Sequence, residues 1–279
     1  MEYHSDRFTD SSLMFFEAEK LVAVLPASLH GDQLIAHGGL TYGALLYSQK
    51  VRSSLVLEIF QALKSYCLAH EIRELIYKSI PYIFHEAPSD EDLYGLNVFG
   101  ATLLKRELSS AIDISNRPKL SKGRKWLVNK AKKEGVVVNK SEEWGAFHSL
   151  LSDVLKRHNA APVHSASELA LLSSRFPQNI ALYVAEREGQ LLAATLLFKF
   201  GNVIHTQYMA TSDEGKEYGA LDYLVESCIQ TAQTENRSYF SFGISTEEGG
   251  KVLNEGLVAQ KEAFGARAVV LDTYCLKFK

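Results

Sequence analysis

Apolar positions recur at two spacings along the chain, and the switches between them mark out its elements. A helical stripe at Leu221, Leu224, Val225, Cys228, Ile229 and Ala232 follows the strand-like run Gln207, Tyr208, Met209, Ala210, Thr211 and a loop through Gly215. That pattern predicts strand, loop and helix, with Tyr218-Gly219-Ala220-Leu221 opening the helix. The same four letters, Tyr42-Gly43-Ala44-Leu45, precede a second stripe at Val56, Ile59, Phe60, Leu63 and Cys67. Each copy is followed by a strand, a further helix and a Phe-Gly-Ala, at residues 99–101 and 264–266, and each is preceded by hairpin-like apolar runs, at 13–29 and 180–200. The shared order reads as an internal duplication.

Taken in order, residues 13–16, 21–25 and 34–36 form an expected three-stranded meander, leading into the Gly-rich loop His37-Gly38-Gly39-Leu40-Thr41-Tyr42-Gly43. A strand at 75–78, a helix at 90–100 and a strand at 108–114 close the first copy. Residues 116–178 belong to neither copy: a basic helix ended by Gly135, a short strand at 136–138, and helices over 144–158 and 165–176. The second copy has strands at 181–185, 191–200, 203–210 and 239–244, then a flexible loop at 245–250. A helix holding Asn254 to Glu262 and a strand at 269–278 complete it. Gly256 inside that helix costs about 1 kcal/mol relative to Ala, so close packing against it is expected. The domain boundaries follow as 1–115, 116–178 and 179–279.

Composition narrows the class. At 279 residues, 46% hydrophobic and 23% charged, the chain suits two small globular domains, and a net charge of −3 argues against bulk nucleic-acid binding. Locally the balance differs. Between Arg117 and Lys133 stand eight basic residues and no acid, and helical spacing gathers Lys122, Lys125, Asn129, Lys132 and Lys133 on one face. Such a face is either simply solvated or a dock for an anionic partner. Cys67, Cys228 and Cys275 sit in apolar runs, as buried free thiols do in a reducing compartment. With no basic-then-apolar leader and no apolar run of about 20 residues, a cytoplasmic location is expected. No HExxH, CxxC, Walker or Ser/His/Asp pattern points to a hydrolase or a metal site.

Candidate chemistry concentrates where strands turn into helices. A glycine at such a turn leaves first-turn N–H groups open to an anion, which makes Gly219 and Ala220 a candidate phosphate site. His37 ends a strand before three glycines, a place for substrate contact or merely for a tight turn.

A meander, a loop and helix at the end of its last strand, then strand, helix, strand, resembles the GNAT acyltransferase fold. Two copies joined by a basic helix resemble its double-GNAT branch, the Fem-type aminoacyl transferases and related acetyltransferase-like proteins. The resemblance rests on His37 to Gly43, the basic helix 122–135, Tyr218-Gly219-Ala220-Leu221, Gly243-Ile244-Ser245, and Asn254-Glu255-Gly256-Leu257 through Phe264-Gly265-Ala266. It implies an α/β (α+β) fold of two tandem mixed sheets flanked by helices. The first copy is then short at its start, because the family has a strand and helices before the position of Leu13.

The implied activity is N-acyl transfer from an acyl-CoA, such as acetyl-CoA, to an amine. The alternatives are Fem-like transfer from aminoacyl-tRNA to a cell-wall precursor, with tRNA as partner, and a silent binding scaffold. Of the family's Arg/Gln-x-x-Gly-x-Gly/Ala loop, only Gly215 and Gly219 are matched. The resemblance places the donor's acyl arm along Met209 and Ala210, and its pyrophosphate at Gly219 and Ala220. Tyr42, Gln207, Ser245, Asn254, Lys261, Glu262 and Lys125 are the expected substrate contacts. For the proton relay His37, His205, Tyr208, Tyr42 and Glu262 all qualify. Gln207 and Tyr208 project to opposite faces of a regular strand, and a phenol or imidazole relays a proton where an amide cannot, so Tyr208 and then His37 lead.

Overall fold

The computed structural model describes residues 6–157 and 159–279. In chain order the first elements are β1 (Leu13–Glu17), β2 (Lys20–Leu25), β3 (Ser28–His30), β4 (Gln33–Ile35), β5 (Leu46–Tyr47), α1 (Ser53–Ala69), β6 (Glu74–Lys78), α2 (Glu91–Val98) and β7 (Thr102–Asp113). Next come α3 (Lys122–Lys133), β8 (Val137–Ser141), α4 (Trp144–Lys156), α5 (Ala166–Arg175), β9 (Ile180–Arg187), β10 (Gln190–Phe200) and β11 (Val203–Thr211). The rest are α6 (Asp213–Tyr218), α7 (Ala220–Thr234), β12 (Tyr239–Ile244), β13 (Thr246–Glu247), β14 (Val252–Leu253), α8 (Glu255–Glu262) and β15 (Arg267–Lys277). His158, the expected end of α4, lies outside the described residues.

Two units emerge: Met1–Leu108 with Thr246–Val252 and Val270–Lys279, and Ser109–Ser245 with Leu253–Val269. This differs from boundaries at 115 and 178. The expected bridge falls within the second unit, and β7 and β15 each divide their length between the two units.

In the first unit the expected meander splits. β1, β2 and β5 form a small sheet in that order, while β3 and β4 form a hairpin in a second sheet ordered β3-β4-β6-β15-β7. Pro26, which has no N–H to give a ladder, ends β2, and the chain re-forms beyond it with Ala27 fully buried. The α1 stripe is buried as its spacing predicts, packing Val56, Phe60 and Leu63 with Leu25, Leu34 and Leu75. Tyr42-Gly43-Ala44-Leu45, by contrast, opens no helix. It runs extended, with the Gly43 N–H donating to the Lys78 carbonyl at 3.1 Å, and α1 starts only at Ser53.

The second unit has sheet order β7-β12-β11-β10-β9-β8, every strand pair antiparallel except β11 with β12. On one face α7 buries Leu224, Val225, Cys228 and Ile229 with Ile204, Leu197 and Phe240. On the other, Phe147 and Leu151 of α4 and Leu169 of α5 pack against Leu182, Leu196 and Ala210. β8, α4 and α5 are thus the opening strand and helices of this copy. The stretch expected as flexible at 245–250, which from Thr246 on belongs to the first unit, contains β13 and a single turn of 3-10 helix, and β13 pairs with β14. Gly250 is held at φ +93°, where a Cβ would meet the Arg106 carbonyl oxygen at 2.0 Å.

Candidate functional site

β11 and β12 run side by side for only three register positions, Val203 with Tyr239, Ile204 with Phe240 and His205 with Ser241. β11 continues to Thr211 and β12 to Ile244, so the strands part immediately beyond His205. A parallel pair that opens in this way leaves backbone groups of both strands without ladder partners, which must be met by side chains or by a ligand.

The β12 side of this gap is held by a lysine. Gly243 sits at φ +76°, in an irregular stretch of the β12–β7 register, a conformation glycine adopts without strain. The bend turns two successive carbonyl oxygens onto one cation. Lys261 Nζ, from α8, donates to Gly243 O at 2.9 Å, Ile244 O at 2.6 Å and Ser245 Oγ at 2.6 Å. All three ammonium protons therefore go to neutral oxygens. Lys261 is buried, and desolvation lowers its pKa to about 8. Asn254 caps α8 by accepting from Leu257 N at 3.0 Å, and its own N–H donates to Ser245 O at 2.9 Å, which ties α8 to the end of β12.

A bulge arranges the β11 side. Opposite β10, Tyr208 pairs with Leu196 but Thr206 pairs with Leu197, so Gln207 is one extra residue with no position in register. In a regular strand residues 205 and 208 face opposite ways. Here His205 pairs with Phe198 and Tyr208 with Leu196, two residues apart on β10, so both lie on the same face. That spacing sets them about 7 Å apart along the strand. The His205 ring bonds to the Ser241 hydroxyl through Nδ1 at 3.0 Å. Burial first, and the Lys261 charge second, push its pKa down to about 4, so its imidazole is neutral at pH 7. Burial raises the Tyr208 pKa, which keeps it a phenol, and its hydroxyl lies 2.9 Å from His164 Nδ1. The result is two polar groups on one face of β11, each with a polar partner behind it.

The start of α7 is closed. α6, a helix where a loop was expected, ends in Gly219 at φ +72°, and a Cβ there would lie 2.8 Å from the Leu127 carbonyl oxygen of α3. Gly215 is likewise fixed by packing, its would-be Cβ 2.2 Å from the Leu192 carbonyl oxygen. Ala220 is fully buried. Inside the first two turns of α7 the protein supplies its own anions: Asp222 pairs with Arg124, and Glu226 accepts from Arg117 at 2.7 and 3.1 Å. A first-turn carboxylate paired with an arginine opposes a second anion at this helix start, although no side chain caps its N–H groups.

The other expected residues fall as follows. Met209 packs with the α7 cluster, while Ala210 is buried with α4. Lys125 is exposed on α3 and Glu262 exposed at the end of α8. Gly256 has only the Asn254 side chain near it, at 3.6 Å, so the expected close packing is absent; it lies in the first turn, where glycine costs little. His37 and Tyr42 belong to the first unit, where His37 is buried against Phe8 and Tyr42 packs on Phe84 with ring centroids 5.0 Å apart. No motif in the sequence singles out Ser241 or His164 for the site, and His205 stands there as one of five candidates rather than a leading one. A bulge at a glutamine carries no signature of its own; the polar His205 and Ser241 in otherwise apolar strands were the available sign. Among the described residues no group of three or more His, Cys, Asp or Glu is placed to hold a metal, and no helix is long and apolar enough to cross a membrane.

Residues 115–249 match the family model described as Acetyltransferase (GNAT) domain. The chain carries a GNAT domain. By domain type it is an acyltransferase. The matched segment begins at the stretch leading into α3, β8, α4 and α5, consistent with their place in the second copy. The fold of the whole chain is shared with the crystal structure of FemX, at TM-score 0.71 and 11% identity, covering 97% of this chain and 89% of that one. It is shared with L-PGS from Bacillus licheniformis at TM-score 0.67 and 14% identity, covering 96% and 84%. A tandem GNAT protein from the clavulanic acid biosynthesis pathway superposes at TM-score 0.53 and 12% identity, covering 98% and 86%. No curated protein matches the sequence. The GNAT match is thus confined to residues 115–249, and over its whole length the chain shares the fold of FemX and L-PGS.

Proposed function

We propose that this GNAT protein transfers an acyl group, activated as an ester of the aminoacyl-tRNA kind, to an amine of a cell-envelope precursor, with bond exchange in the gap between β11 and β12. The observation that carries the choice of donor is the closed start of α7, where an acyl-CoA would need its pyrophosphate held. The amine nitrogen attacks the ester carbonyl carbon, a C–N bond forms and the C–O bond breaks. The Lys261 charge, poorly solvated and beside the gap, favours the negative charge that develops on the carbonyl oxygen. Tyr208 gives a proton to the departing oxygen and regains one, originating on the amine, through His164. Such a donor exists in the cytoplasm, which is where the reading puts the protein.

The reading is tested by offering purified protein acetyl-CoA in a calorimeter, and aminoacyl-tRNA with an amine acceptor in a transfer assay. Transfer from the ester with no heat from acetyl-CoA supports it. Micromolar acetyl-CoA binding with no transfer from aminoacyl-tRNA restores the acyl-CoA reading, and neither signal leaves a silent scaffold.

A further inference from the structure

The outer face of α3 is unlike the rest of the surface. Its inner face, Val128 and Ala131, is buried, and Arg124 and Arg117 on the same side are spent on Asp222 and Glu226 of α7. Lys122, Lys125, Trp126, Asn129 and Lys133 are left outward at helical spacing over about 16 Å. Trp126 is 61% exposed, with Lys130 Nζ 5.4 Å from its ring centroid. A solvated basic face does not call for a tryptophan. An exposed ring among lysines offers what a flexible nucleic-acid strand needs, a surface for stacking a base and cations for its phosphates.

Resting on the aminoacyl-tRNA reading, we propose that the outer face of α3 docks single-stranded RNA, the 3′ strand of the donor tRNA, with Trp126 stacking a base and Lys122, Lys125 and Lys133 neutralising phosphates. Charge complementarity selects this occupant, because the face holds four polar residues and no acid. A lipid surface fits less well. The apolar side that a membrane-lying helix would bury is already packed on α7, leaving one aromatic ring and no apolar stripe.

The test uses the full-length protein and a short unstructured RNA oligonucleotide with the tRNA 3′ sequence, followed by fluorescence anisotropy and tryptophan quenching. Binding should weaken with salt at a logarithmic slope of about −2, as about three neutralised phosphates on a single strand require. Lys122→Gln/Lys125→Gln/Lys133→Gln should lose about tenfold or more in affinity and flatten that slope. Trp126→Ala should lose about tenfold and most of the quenching. Both variants change exposed groups, so their melting should match that of the parent. RNA affinity unaltered in both variants overturns the proposal, as does binding to phosphatidylglycerol vesicles but not to RNA. The transfer assay separates this failure from that of the donor reading. Transfer from aminoacyl-tRNA with the same KM in parent and variants removes the docking face and keeps the donor. Oligonucleotide binding through α3 without such transfer removes the donor and keeps the face.

Discussion

Two places adjoin the end of β11 and differ in how their charges are met. At the start of α7 every buried charge has an opposite partner, Asp222 with Arg124 and Glu226 with Arg117, and the glycines are packed against backbone. In the gap with β12 the buried Lys261 faces only neutral oxygens, and His205 beside it is held neutral. A compensated ion pair has nothing left to offer a substrate. An uncompensated cation where two strands part does, which is why we propose the gap rather than the helix start as the reactive place.

Four measurements sharpen or break this contrast. Lys261→Met should have the largest effect, slowing transfer about 100-fold or more while leaving three acceptors unmet, at about 1–3 kcal/mol in a urea titration. Equal loss of stability with full activity would make the lysine a mere brace. Next, Tyr208→Phe should slow turnover about 100-fold with KM little changed, since a phenol is a relay here rather than a binding group. Gly219→Ala then probes the closed side: a strained φ and the Leu127 carbonyl should cost about 1–3 kcal/mol, seen as a lower Tm, with turnover of the folded protein unchanged. A selective loss of donor affinity instead would reopen the helix start as a site.

The smallest effect expected is in pH dependence. His205 has a folded pKa of about 4 against 6.5 unfolded, so on acidification the unfolded chain takes up the proton first. Its contribution to stability is therefore complete above pH 6.5 and lost as pH falls toward 4. His205→Gln should flatten that limb of the Tm–pH profile, and an unchanged limb would assign it to other groups.

Periodicity made the elements legible but not their partners. The stripes of α1 and α7 and the span of β12 were readable because burial imposes a spacing that the sequence must obey. Whether β2 continues beside β3 depends on Pro26 and on which strand lies alongside, and a local pattern does not contain that. The repeated tetrapeptide misled for the same reason: Gly43 lies extended against β6 while Gly219 ends α6, so four shared letters occupy unlike places and lend the duplication no support. α6 had its signal, Ser212 before Asp213 and Glu214, an N-cap with acids in the first turn. The bulge at Gln207 had none, and with it went the correct facing of His205 and Tyr208.

The most direct test of the central claim is a crystal structure with a non-hydrolysable 3′-aminoacyl-adenosine analogue. The aminoacyl carbonyl should lie between β11 and β12, beside the Gln207 bulge and the Lys261 ammonium. The analogue bound at Gly219 and Ala220, with α3 displaced from α7, would contradict it.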